Sequence, residues 1–172
     1  MTTHGGMAMR SVTERRHGEV EAMGKGRNAE HSLSDDKLRH IRAVAEVMRD
    51  TALANGLGDE EADRMYLLGL VHDVGYLHGA RGHAGRGADL LASAGYELAE
   101  EVRLHGRLVD DPSDALLMLW HADLSCDWRG RRVGYDERLA GVIERYGEGS
   151  EQARNVRAIV GRLQAETRLA FA

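Results

Sequence analysis

The chain holds one cysteine, one proline and one phenylalanine. A lone Cys126 cannot close an internal disulfide, which excludes a disulfide-stapled fold and fits a reducing cytoplasm. Nor can it build a thiolate-rich structural zinc site, and it reads instead as a small hydrophobe. No apolar run approaches membrane-spanning length, and the polar start carries no signal-peptide core. The expectation is a cytoplasmic protein with no membrane partner. No segment shows sustained two-residue alternation, which argues against strands. An excess of basic charge is also missing: 23 Lys and Arg against 28 Asp and Glu give a net charge of −5. That speaks against long nucleic acids as partners, although a local basic patch could still grip a phosphate.

What the chain does have is helical periodicity. Ser34 is a plausible N-cap, with Asp35 and Asp36 in the first turn behind it. Leu38, Ile41, Val44, Ala45 and Met48 follow at helical spacing, and Gly56 can close the helix. A second helix begins at Asp59. Its stretch from Met65 to Val71 is apolar on nearly every side and reads as a central, buried helix ending at His72-Asp73, where Gly75 breaks the pattern. Further helices are expected near 82–94, 97–108, 113–123, 135–146 and 150–169, separated by glycine-rich and Asp-Asp-Pro turns. The fold class is all-α: one bundle over residues 33–172 around a central buried helix. Residues 1–32, glycine-rich and poor in large apolar side chains, read as a flexible segment, with a lid or a dimer arm as alternatives.

Histidines and aspartates fall on this frame in the order H…HD…H…H…D: His40, His72-Asp73, His83, His105 and Asp123. His40 shares a helix face with Val44, Val47 and Met48, and His105 lies on the face of Leu98 and Val102. Asp123 follows Leu116, Leu119 and Trp120 at helical intervals, and His83 opens a helix. All can point inward. A buried aspartate is costly unless paired or bound to a cation, and one metal site would account for the whole set. Imidazole and carboxylate together suit iron, manganese, cobalt or nickel, and magnesium less well. Two divalent metals sharing a carboxylate could activate a water and hold a phosphate oxygen.

Over residues 34–146 the chain resembles the HD-domain superfamily of metal-dependent phosphohydrolases. The resemblance is carried by Arg39-His40-Ile41-Arg42-Ala43-Val44-Ala45, Leu70-Val71-His72-Asp73-Val74-Gly75, Gly82 to Leu91, Val102-Arg103-Leu104-His105 and Trp120-His121-Ala122-Asp123. It implies an HD-type helical domain with His40, His72, Asp73 and Asp123 on a first metal. It also implies His83 and His105 on a second, with Asp73 bridging the two and orienting the nucleophile as the catalytic residue. Iron or manganese is favoured. Many two-metal relatives read His-Asp-x-Gly-Lys, with a lysine that helps to bind phosphate; here Tyr76 takes that position. The Gly-Tyr-Pro motif of the cyclic-dinucleotide branch is absent too, which speaks against hydrolysis of cyclic dinucleotides.

Other residues complete the expectations. His78 competes with His83 as a ligand. His121 is expected to line the pocket or to support a ligand by a hydrogen bond. Arg81 and Arg86, beside a glycine-rich turn, are the favoured phosphate contacts, with Tyr76 as a hydrogen-bond donor. The stripe Val156, Ile159, Val160 and Leu163 serves either the core or a homodimer. The leading function is hydrolysis of a small phosphate ester or nucleotide by a metal-activated water. The alternatives are a mixed-valent di-iron oxygenase and a metal-containing regulatory or ligand-binding protein.

Overall fold

In the computed structural model, residues 32–171 are described. They form seven α-helices: α1 (Asp35–Ala54), α2 (Asp59–Val71), α3 (His83–Ser93), α4 (Ala99–Leu104), α5 (Asp114–Leu124), α6 (Tyr135–Tyr146) and α7 (Glu151–Gln164). A 3-10 turn, Val74–His78, joins α2 to α3. The expected all-α bundle is what forms. Among the described residues the nearest thing to a sheet is one isolated bridge, Cys126 to Arg132, that pinches the turn after α5. No described helix is long and apolar enough to cross a membrane. The flexible segment expected over residues 1–32 falls, all but Ser32, outside the described residues.

Three serines start helices. The Oγ of Ser34 accepts from Lys37 N at 3.2 Å, that of Ser113 from Leu116 N at 3.1 Å and that of Ser150 from Ala153 N at 3.1 Å. Each satisfies an amide left open in the first turn. Two helices are shorter than their apolar patterns. The helix expected over 97–108 is helical only from Ala99 to Leu104. The last helix stops at Gln164 rather than 169, because Glu166 Oε1 captures the Thr167 and Arg168 amides at 2.9 and 2.7 Å. The tail then turns back to α1, where Asn55 Oδ1 accepts from Ala170 N at 2.8 Å.

The central buried helix is α5, not the apolar stretch before His72. Leu116 to Ala122 are all buried, as is Leu124, whereas Leu67 on α2 is 44% exposed. Met118, Leu119 and Ala122 pack with Val44, Met48 and Leu68 in one core cluster. Leu116, Leu117, Trp120 and Leu124 pack with Ile159 and Leu163 in a second. A helix pressed from both sides has no solvent face, so it becomes the axis of the bundle. The stripe on α7 is therefore core: Ile159 and Leu163 are each 3% exposed.

Candidate metal centre

Asp73 follows directly on the end of α2 and is 3% exposed. Its two carboxylate oxygens face different pairs of histidines. Oδ2 lies 3.3 Å from His72 Nε2 and 3.8 Å from His40 Nε2. Oδ1 lies 3.3 Å from His83 Nε2 and 3.6 Å from His105 Nε2. Asp123, from the last turn of α5, brings Oδ1 to 3.1 Å from His40 Nε2. One potential ligand atom from each of His40, His72 and Asp73 lies within 4.8 Å of the others, and the same holds for Asp73, His83 and His105. The six residues His40, His72, Asp73, His83, His105 and Asp123 thus meet in one place. His78 does not join them. It is exposed at the end of the 3-10 turn, and His83 takes the place beside Asp73.

Each imidazole is oriented by the backbone. His40 Nδ1 donates to Asp127 O at 2.9 Å, His72 Nδ1 to Gly69 O at 2.7 Å, His83 Nδ1 to Ala80 O at 3.0 Å and His105 Nδ1 to Val102 O at 2.6 Å. A carbonyl only accepts, so the proton of each neutral ring sits on Nδ1 and the Nε2 lone pair is free. Four lone pairs then converge on two carboxylates with few donors between them. His83 Nε2 and His105 Nε2 stand 3.3 Å apart, and His72 Nε2 is buried with no hydrogen-bond partner. An array of acceptors and negative charge is repulsive by itself and fits cations. The donors, imidazole nitrogen and carboxylate oxygen, match divalent transition metals.

Both carboxylates are held ionised by the charged groups around them. Burial opposes ionisation of Asp73, but His72, His83 and Lys37 outweigh it and hold the carboxyl well below its usual range. Burial likewise opposes ionisation of Asp123, yet Arg138 and His40 keep it anionic. His72 is pulled the other way: burial would lower its pKa, but the Asp73 charge raises it overall. Burial lowers His105 below the ordinary imidazole value.

Two cations that the sequence reading passed over complete the centre. Lys37 Nζ pairs with Asp73 Oδ2 at 2.8 Å and lies 4.0 Å over the ring of Tyr76. Arg138 Nη2 contacts Asp123 Oδ1 at 3.1 Å. Lys37 sits one turn before His40 on the same face of α1, and that spacing was the available signal. No comparable signal marks Arg138. Tyr76 itself packs on His83, with ring centroids 4.1 Å apart. Its hydroxyl is pushed far above its ordinary value by burial and the nearby Asp73 charge, so it stays a neutral donor.

Glycine permits two close approaches that the centre depends on. A Cβ on Gly75 would stand 1.9 Å from His83 O, so the 3-10 turn crosses the start of α3 in backbone contact. Gly130, with φ +80°, lies against α1, where a Cβ would stand 2.6 Å from Arg39 O. That contact seats the 127–132 turn, whose Asp127 carbonyl holds His40.

The centre opens into a cavity of about 710 Å³, the size of a small-molecule site. Arg81, Tyr76, Arg103, Arg107, Lys37 and Arg138 are among its lining residues. Two expected contacts are not. Arg86 is turned back onto the Gly79 carbonyl, to which its Nη2 donates, and is not among the residues that line the cavity. His121 lies two residues before Asp123 on α5, and successive residues turn about 100°, so it faces another way. It stacks on Phe171 at 4.8 Å, and its Nδ1 accepts from Tyr135 Oη at 2.7 Å. Burial lowers its pKa to about 4.

Fold and site together define an all-helical protein with a buried His/Asp cluster able to hold metal. The chain is similar to the 3'3'-cGAMP-specific phosphodiesterase 1 of Vibrio cholerae serotype O1, at 30% identity over 114 residues, 66% of this chain and 24% of that protein. It therefore spans about a quarter of that relative's length. No family model matches the chain. No solved structure matches it. That relative is named for a cyclic dinucleotide, the class against which Tyr76 and the absent Gly-Tyr-Pro motif argued.

Proposed function

We propose that this chain is an HD-type, metal-dependent phosphohydrolase acting on a nucleotide or another small phosphate ester, with two divalent metals, iron or manganese. The observation that carries the reading is the division of Asp73 between two histidine pairs, each ring fixed through Nδ1 with Nε2 turned inward. In this reading His40, His72, Asp73 and Asp123 hold one metal, and Asp73, His83 and His105 hold the other. Such metals supply Lewis acidity and a water activated near neutral pH.

The chain's own residues do the rest. Asp73, shared by the two histidine pairs, would hold both metals and orient the nucleophile. Lys37, paired with Asp73 and lying over the Tyr76 ring, would offer the substrate's phosphate a cation in place of the lysine absent at position 76. Arg81 and Arg138, at the cavity wall, balance charge on the phosphate oxygens. Tyr76 donates a hydrogen bond and shields His83 from water.

The test is a panel of mononucleotides, cyclic mono- and dinucleotides and sugar phosphates, offered to the manganese- or iron-loaded chain with product release and oxygen uptake followed together. Hydrolysis by wild type and none by Asp73→Ala supports the reading. Substrate-dependent oxygen consumption would replace it with a di-iron oxygenase. Equal inertness of both proteins would leave a metal-containing binding protein.

A further inference from the structure

Beyond the histidines and aspartates, the cavity wall carries Trp128, Arg145 and Tyr146, which the hydrolytic reading does not use. Trp128 is 39% exposed and Tyr146 is 47% exposed, and they are the two aromatics among the exposed large hydrophobic residues described. The other tryptophan, Trp120, is 1% exposed in the core. Guanidinium groups stand over the Trp128 ring, Arg129 at 4.4 Å and Arg145 at 5.6 Å. Arg145 is also 5.9 Å from the Tyr146 ring, so one planar cation lies beside both aromatic rings.

This wall is indexed to the metal centre. Trp128 directly follows Asp127, whose carbonyl holds His40. The turn is rigid: Asp127 Oδ1 accepts from Arg129 N at 2.9 Å and Arg131 N at 2.8 Å. Tyr146 lies one turn beyond the buried Val142 on α6, and the Tyr146 and Arg145 side chains are close enough to Tyr76 to act on it electrostatically. Partly exposed aromatic rings beside planar arginines are how proteins hold unpaired bases, because every base offers a flat π face. A sugar or a bare phosphate offers none.

We infer that Trp128, with Arg145 and Tyr146, is a base-stacking platform, so that the ligand of this cavity is a nucleotide whose base rests on this wall while its phosphate faces the histidines. The inference rests on the proposed phosphohydrolase reading for the position of the phosphate.

The probes are adenosine 5′-monophosphate, ribose 5-phosphate and inorganic phosphate, titrated calorimetrically into the manganese-loaded full-length chain, with tryptophan emission recorded in parallel. Wild type binds the nucleotide on the order of 10-fold to 100-fold tighter than ribose 5-phosphate. Trp128→Ala abolishes that gap and leaves the other two affinities in place. Trp128→Phe keeps the gap but loses the quenching, because the buried Trp120 is its one remaining indole. Equal affinity of wild type for nucleotide and ribose phosphate overturns the platform, as does a Trp128→Ala loss shared by all three probes or no binding at millimolar concentration. Elemental analysis of the same samples keeps the two readings apart. A base-dependent gap in metal-free protein sinks the metal reading alone, and an active metalloprotein without the gap sinks the platform alone.

Discussion

Gly75→Ala makes the sharpest demand on the geometry. A Cβ there would stand 1.9 Å from His83 O, 2.7 Å from Gly87 N and 2.8 Å from His83 C, all backbone atoms that cannot rotate away. Real Cβ atoms essentially never come within 3.0 Å of a neighbour, so the 3-10 turn and α3 must part by about 1 Å or more, and overpacking of this kind costs roughly 1–3 kcal/mol. For a chain of this length each kcal/mol lowers the melting temperature by about 2–4 °C. His83 opens α3 and moves with it, away from Asp73 Oδ1, now 3.3 Å distant. His40, His72 and Asp123 come from other elements and stay. The expected result is selective: the affinity for one metal falls about 10–100-fold, the usual cost of disturbing what orients a ligand, and the other is retained. Equilibrium dialysis against manganese with elemental analysis reads the stoichiometry, and a thermal melt reads the fold. Gly161→Ala is the control. Its Cβ meets open space on α7, and alanine should stabilise that helix by roughly 0.5–1 kcal/mol. Wild-type metal binding and melting in Gly75→Ala would refute the reasoning.

Other perturbations separate the remaining parts. Gly130→Ala should push the 127–132 turn off α1, release His40 Nδ1 from Asp127 O and weaken the other metal by about 10–100-fold; dialysis reads this as the complement of Gly75→Ala. Lys37→Met removes a cation that competes for Asp73. Metal affinity should hold or rise, while KM for a phosphorylated substrate rises about 10-fold, the loss of one charge-assisted hydrogen bond; a fall in metal affinity would argue for a structural lysine. His121 supplies a pH signature. Its folded pKa, about 4, lies below the ordinary imidazole value of 6.5, so the unfolded chain takes up the proton first. Stability should therefore fall as pH drops from about 6.5 to 4, by at most about 3 kcal/mol. Denaturant melts of His121→Asn should lack that increment, and an unchanged acid profile would count against a neutral buried imidazole.

The all-α fold was legible from helical spacing and serine caps; His40 and Asp123 meet because each lies on an inward helix phase, and Asp73 and His105 join them from just past helix ends. The misplaced centre of the bundle has a plain cause. Met65 to Val71 and Ala115 to Trp120 are both unbroken apolar runs, and burial on every side follows from neighbours: α5 is flanked by two clusters although His121 and Asp123 follow its run. That His121 points away from Asp123 was legible in the spacing, since residues two apart on a helix do not share a face. The placement of Arg86 was not: a long cation can turn to any acceptor within reach, here the Gly79 carbonyl. Lys37 was hidden because a lysine in a first helical turn reads as a solvent-facing residue. Its contact with Asp73 spans 36 positions of sequence.

The central claim is that Asp73 serves both histidine pairs at once. It is tested most directly by anaerobic titration of the full-length chain with iron(II) or manganese(II), comparing wild type with Asp73→Ala by bound metal per chain. The account predicts two equivalents in wild type and the weakening of both together in the variant. Loss of one metal with the other untouched, or a wild type that binds none, would contradict it.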